Sequence, residues 1–164
     1  MTEHILTIEE FMDTQPVEIT LFLTGKCNFN CNFCGYKDTY KFPDITKHDL
    51  ITLKKSLIEL LTKSNKTFYI NLMGGEPTLN ESLLIMCMST LNEIRDLFPN
   101  KLRLWLTSNG WFGRNKESIK TIWDLSFDRY IISCSEDHFN QGNCTYIKNI
   151  LNFFYIYFIC GCYL

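Results

Sequence analysis

Two hydrophobic periods take turns along this chain. Val17–Thr24 follows a period of two, with Thr20, Phe22 and Thr24 on one face and Ile19, Leu21 and Leu23 on the other, which predicts a strand. The period then lengthens. Thr46 with Asp49 resembles a capping box, and the helix it opens carries Leu50, Leu53, Leu57, Leu60 and Leu61 along one stripe. Phe68–Met73 predicts a second strand, ended by Gly74-Gly75. Asn80 caps a helix whose apolar positions are Leu83, Leu84, Cys87, Met88, Leu91 and Ile94, and Pro99 closes it. Leu102–Leu106 predicts a third strand, with Thr107-Ser108-Asn109-Gly110 as its turn. A shorter helix from Asn115 to Ser126 carries Ile119, Ile122, Trp123 and Leu125. Arg129–Cys134 predicts a fourth strand, a weak helix follows near Thr145–Leu151, and Phe153–Phe158 predicts a fifth strand.

Strands alternating with helices of this length imply parallel, right-handed β-α-β units. There is no repeat or linker, so residues 1–164 read as one α/β domain, with 1–16 as an N-terminal extension and 153–164 as an apolar end. A doubly wound sheet and part of a barrel both fit the pattern. In either, ligands gather at the carboxyl ends of the strands. A cysteine triplet follows the first strand, Gly-Gly-Glu-Pro the second, Thr-Ser-Asn-Gly the third, and Ser133 to His138 the fourth. Four polar or glycine-rich strand ends on one rim predict a binding site there.

The chain is 46% hydrophobic with a formal net charge of −2, enough apolar material for a core. Near-neutrality removes any electrostatic argument for nucleic acid or an anionic membrane. The apolar run 153–164 is shorter than the roughly twenty residues a membrane helix needs. No basic and apolar leader is visible, so the expected compartment is the cytoplasm, with thiols reduced. That matters for the eight cysteines. Cys27, Cys31 and Cys34 form a Cys-x3-Cys-x2-Cys triplet, and thiolates so close call for a soft ligand: zinc, Cu(I) or an iron–sulfur cluster. Three ligands leave a coordination position open. Zinc held with His48 or another cysteine is an alternative, although no second ligand pair has zinc spacing. Cys87 and Cys134 read as core residues.

The triplet, with Phe33 before its last cysteine and Gly74-Gly75-Glu76-Pro77 after the second strand, resembles the radical S-adenosylmethionine (radical SAM) superfamily over roughly residues 17–138. The resemblance implies a partial (β/α) barrel, of which four to five units are present. It implies a [4Fe–4S] cluster on Cys27, Cys31 and Cys34, with SAM chelating the fourth iron. Reductive cleavage of SAM would give methionine and a 5′-deoxyadenosyl radical that takes hydrogen from a substrate, whether peptide, protein or small molecule. The electron would come from an external donor such as flavodoxin or ferredoxin.

In the same terms, Phe33 packs near the adenine, and Gly74 and Gly75 let the backbone approach the ligand. Glu76 receives the ammonium of SAM. Ser133 and Ser135 face into the barrel toward its ribose or carboxylate. Lys26 offsets cluster charge. Ser108 and Asn109 are lesser candidates, His138 is either a substrate contact or a solvated loop residue, and Glu136 and Asp137 read as a solvated pair. The family's glycine-containing segment near a fifth strand is not recognisable, and barrels of this kind commonly exceed roughly 200 residues. The chain is therefore expected to be truncated at its C-terminus. The alternative function is a non-catalytic iron–sulfur-binding fragment of such an enzyme.

Overall fold

Four parallel strands, each hydrogen-bonded to the next in sequence, carry every other element: β1 (Val17–Phe22), β2 (Phe68–Met73), β3 (Leu102–Ser108) and β4 (Arg129–Ile132). The computed structural model describes residues 15–34 and 42–154. Val17 lies beside Phe68, Phe68 beside Leu102, and Trp105 beside Arg129. A doubly wound sheet reverses its order at a switch point. This order never reverses, as in the wall of a barrel, so the partial (β/α) barrel is the fold that is present. Between the strands run α1 (Lys47–Lys63), α2 (Glu81–Leu97) and α3 (Lys116–Asp124). After β4 come α4 (Glu136–Asn140) and α5 (Asn143–Phe154).

The two faces of the sheet have opposite chemistry because strand side chains alternate. Phe68, Ile70 and Leu72 of β2 and Leu102, Leu104 and Leu106 of β3 are buried. They pack with Leu50, Leu57 and Leu61 of α1, with Leu84, Cys87, Met88, Leu91 and Ile94 of α2, and with Ile119 and Ile122 of α3. The other face presents Glu18, Asn71, Met73, Trp105, Thr107, Arg129 and Ile131 to an open cleft of about 820 Å³. Among the described residues no helix is long and apolar enough to cross a membrane.

Local signals set the helix starts. Thr46 accepts from the Asp49 amide while Asp49 accepts from the Thr46 amide at 2.8 Å, a reciprocal box. Asn80 and Asn115 cap α2 and α3 through the amides of Leu83 and Ser118. Two expected core positions turn outward: Leu60 lies off the buried stripe of α1, and Trp123 stacks on Tyr130 at the surface. β3 absorbs Thr107 and Ser108 from the expected turn, because they pair with Ile131 and Ile132. The short α4 stands where a loop was expected. The last helix starts at Asn143 and runs through Phe153 to Phe154, so no fifth strand begins at Phe153. The rest of that expected strand lies outside the described residues, as does most of the N-terminal extension.

The ends of β1 and β2 approach unusually closely. The Gly75 amide donates to the Thr24 carbonyl at 2.8 Å and the Glu76 amide to the Lys26 carbonyl at 2.7 Å. A Cβ on Gly75 would collide with the Lys26 carbonyl, and that backbone cannot swing aside as a side chain can. Gly75→Ala is therefore expected to lower the unfolding free energy by about 2–3 kcal/mol, read from urea unfolding. Gly142 has a φ of 91° but open space around its Cβ position, so Gly142→Ala should cost only the left-handed backbone penalty, about 1–2 kcal/mol.

Candidate functional site

The cysteine loop leaves β1 through Thr24–Lys26 and folds over the carboxyl ends of the sheet. Cys31 is buried, Cys27 and Cys34 are half-buried, and none of the three is in a disulfide. They line one cavity of about 150 Å³ together with Phe29, Phe33, Gly74, Gly75, Asn109, Ser133 and His138. Nitrogen donors surround the sulfurs. Cys27 Sγ accepts from the Phe29 amide at 3.4 Å and from Asn109 Nδ2 at 3.7 Å, and Cys31 Sγ accepts from Gln141 Nε2 at 3.7 Å. Burial pushes the Cys27 thiol up, against a smaller pull from the Phe29 amide. A metal bound there would displace that proton. Among the described residues no three His, Cys, Asp or Glu side chains are grouped as a single-ion site. A cluster asks for something else: soft thiolates on one wall of a cavity, with N–H donors to sulfur. The residues present fit that group.

Glu76 does not face this cavity. It is 0% exposed. Its Oε1 accepts from the Thr78 amide at 3.0 Å, the Thr78 hydroxyl at 2.5 Å and the Ser108 hydroxyl at 2.8 Å, and its Oε2 accepts from the Asn109 amide at 2.6 Å. The carboxylate expected to receive a ligand ammonium is in this fold engaged by protein donors and joins the end of β2 to the end of β3. Burial pushes its carboxyl up and the four donors pull it back, burial being the larger. Gly74 and Gly75 line the cavity, but the space a Cβ would take is filled by the backbone of Thr24 and Lys26, not kept for a ligand. Lys26 is also turned away, paired with Asp44 at 2.8 Å.

The side opposite the glycine turn is held by α4, and here sequence reasoning missed the residues that matter. Asp137 Oδ2 accepts from the Asn32 amide at 2.6 Å, and Gln141 Oε1 accepts from the Asn30 amide at 2.7 Å. Two loop amides on either side of Cys31 are thereby fixed by side chains more than a hundred residues away. Asp137 is a clamp, not half of a solvated pair. Asn143 continues the fastening, donating to the Asn109 and Ser133 carbonyls. The only advance signal was the Ser-x-x-His start of α4, which marks a helix cap but names no partner.

Ser133 lines both the cysteine cavity and the larger cleft, as do Phe33, Met73, Thr107 and His138, so the two spaces share a wall. Ser135 borders the cleft but its hydroxyl caps α4, accepting from the His138 amide. Phe33 is 62% exposed at the mouth, edge-on to His138 at 5.5 Å. His138 is buried, and its Nδ1 accepts from the Ser135 amide at 3.2 Å, which puts the ring proton on Nε2.

Two outcomes follow from these bonds. Glu76→Ala strands the Thr78 and Asn109 amides in a closed interior, at about 1–3 kcal/mol each. Urea unfolding should show the loss, with Glu76→Gln milder because it keeps one acceptor. Burial holds the His138 ring below its ordinary value, with Asp137 pulling the other way. A depressed folded value means the neutral ring stabilises the fold above about pH 6.5, and that this contribution is lost as pH falls through the folded value. The stability gap between the parent and His138→Gln should therefore shrink on acidification, and a gap indifferent to pH would contradict the assignment.

Comparison with known proteins places this rim in context. Residues 21–137 match the family model of the radical SAM superfamily. A GTP 3′,8-cyclase of Psychromonas ingrahamii is 27% identical over 113 residues, 65% of this chain and 32% of that protein. The chain thus spans about a third of the length of the curated relatives it matches. Among solved structures, anSMEcpe with bound AdoMet (S-adenosylmethionine) aligns with a TM-score of 0.65 at 18% identity, covering 88% of this chain and 42% of that one. BtrN in complex with AdoMet and 2-DOIA gives 0.57 at 20% identity, covering 80% and 51%. At those identities the structures show the fold, and the family match over most of the chain shows the kinship: this protein belongs to the radical SAM superfamily.

Proposed function

We propose that Cys27, Cys31 and Cys34 hold a [4Fe–4S] cluster and that the cavity they line takes the methionine end of SAM. The observation that carries this is three thiols outside any disulfide, two of them accepting from N–H donors, sharing one small cavity with the Gly74–Gly75 turn and the ends of β3 and β4. Together the bound cluster and SAM supply reductive cleavage to methionine and a 5′-deoxyadenosyl radical, the electron coming from a flavodoxin- or ferredoxin-type donor in the cytoplasm. Membership of the radical SAM superfamily and the AdoMet bound in two structural neighbours support the reading.

The chain's own residues then have distinct tasks. The N–H donors of Phe29, Asn109 and Gln141 stabilise thiolate charge at Cys27 and Cys31. Glu76 positions the glycine turn without touching the ligand, leaving backbone polar groups of Gly74 and Gly75 to orient it. The Ser133 hydroxyl, at the wall between cavity and cleft, is placed to bind SAM, whereas the Ser135 hydroxyl is committed to its cap. Phe33 and His138 cover the mouth and exclude water from a reactive centre.

Anaerobic reconstitution with iron and sulfide should give a brown protein with about four irons per chain. With dithionite and SAM it should release 5′-deoxyadenosine. Cys34→Ala should lose both. A protein that stays colourless sinks the proposal. One that gains the cluster but releases no deoxyadenosine is a non-catalytic cluster-binding chain.

A further inference from the structure

The cleft on the sheet's open face carries one feature that cluster and SAM binding leave unused. Arg129, the first residue of β4, sits directly beside Trp105 in register. Its guanidinium lies over the indole, Cζ 4.6 Å from the ring centroid, and Tyr69 backs that indole at 4.8 Å. A guanidinium held over an aromatic face can still offer its N–H donors to a carboxylate or phosphate through two parallel hydrogen bonds.

The other three arginines have protein oxygens as partners. Arg95 bonds the Ser126 carbonyl and Asp128, Arg103 the Pro99 and Leu102 carbonyls, and Arg114 bonds Glu81. Among the described residues Arg129 has no such acceptor. Its neighbour Asp128 is turned away, accepting from the Leu104 amide at 2.7 Å. The one acid lining the cleft, Glu18, belongs to β1 at the opposite edge of the sheet. Their strands lie three spacings apart along the sheet, about 14 Å. A preoriented cation without a counter-charge lines a space within the roughly 300–1,000 Å³ range of small-molecule sites.

We propose that Arg129, stacked on Trp105, is an anion-recognition subsite of the cleft, so that the molecule acted upon carries a carboxylate or a phosphate. This rests on the function proposed above, since it places the reacting end at the wall shared with the cysteine cavity. Ser133 marks that wall, four residues along the chain from Arg129. At about 3.3 Å per residue the two ends lie roughly 13 Å apart. The substrate is therefore elongated, with its anionic group remote from the hydrogen that is removed. Arg129 binds and orients, and it takes no part in bond breaking.

The test uses the full ¹⁵N-labelled chain without iron or SAM, titrated separately with succinate, inorganic phosphate and the neutral succinamide. The probes are the Arg129 Nε–Hε resonance and the Trp105 indole N–H. Succinate or phosphate should shift both saturably, and succinamide neither. Whichever anion binds more tightly assigns the substrate to the carboxylic acids or the phosphoesters. Arg129→Gln should weaken that binding by about tenfold or more, and Arg129→Lys by less, with unchanged thermal unfolding because the side chain is exposed. Shifts reproduced by sodium chloride at equal ionic strength, or an affinity indifferent to Arg129→Gln, would overturn the subsite. Because no cofactor is present, saturable anion binding beside failed SAM cleavage removes only the cluster-and-SAM reading. Failed anion binding beside intact cleavage removes only the subsite.

Discussion

A carboxylate sealed from water ties the rim of this sheet together. Taking Glu76 out of solvent costs several kcal/mol unless protein groups replace the water. Here the replacements come from two places: the turn that follows Glu76 itself, and the last strand residue and first loop residue of β3. The same turn donates its Gly75 and Glu76 amides to the segment that leads into the cysteines. Moving any one strand end away would leave a buried charge or amide unpartnered. The three ends therefore adopt one arrangement together, and the thiols inherit their positions from it.

That arrangement changes what the Gly-Gly-Glu-Pro turn does. Glycines beside a glutamate suggest a turn cleared for a ligand. In the fold the clearance is taken by backbone, so that β1 and β2 can close on each other where their strands end. What reaches the cavity from this turn is main chain, whose polar groups are rigid because the side chain beneath them is fixed. A floppy carboxylate offered to a ligand would lose entropy on binding; a braced backbone has already lost it.

Much of this was legible before any coordinates. Alternation of period two and period 3.6 located four strands and three helices, because those periods are written by burial on one face. The cysteine spacing located the soft-metal loop because it is local. The orientation of Glu76 was not legible: a glutamate after two glycines reads the same whether it points at a ligand or at Ser108. Nor was the clamp by Asp137 and Gln141, whose partners are backbone amides of Asn32 and Asn30, and amides carry no residue identity for a sequence pattern to reveal. α4 itself is too short to show a period, and Phe153, aromatic like a strand residue, continues a helix because Ile147 and Ile150 below it already pack on the core.

The two faces of the sheet have separate tasks. The buried leucines and isoleucines of the two central strands, Ile70, Leu72, Leu104 and Leu106, all point toward the helices and stabilise the sheet from that side. Trp105, Thr107, Arg129 and Ile131 project from the other face and contribute little to that core. Exchanging them leaves the helix-side packing intact, where a large-to-small change at Leu104 or Leu106 opens a cavity at about 2–5 kcal/mol. The positions of the thiols depend on the first set of bonds, through Glu76 and α4, while the second face shapes the cleft. The two meet at the shared wall of Phe33, Met73, Thr107, Ser133 and His138. A substitution at Arg129 therefore leaves the bonds that hold the thiols in place, which is what the proposed subsite requires.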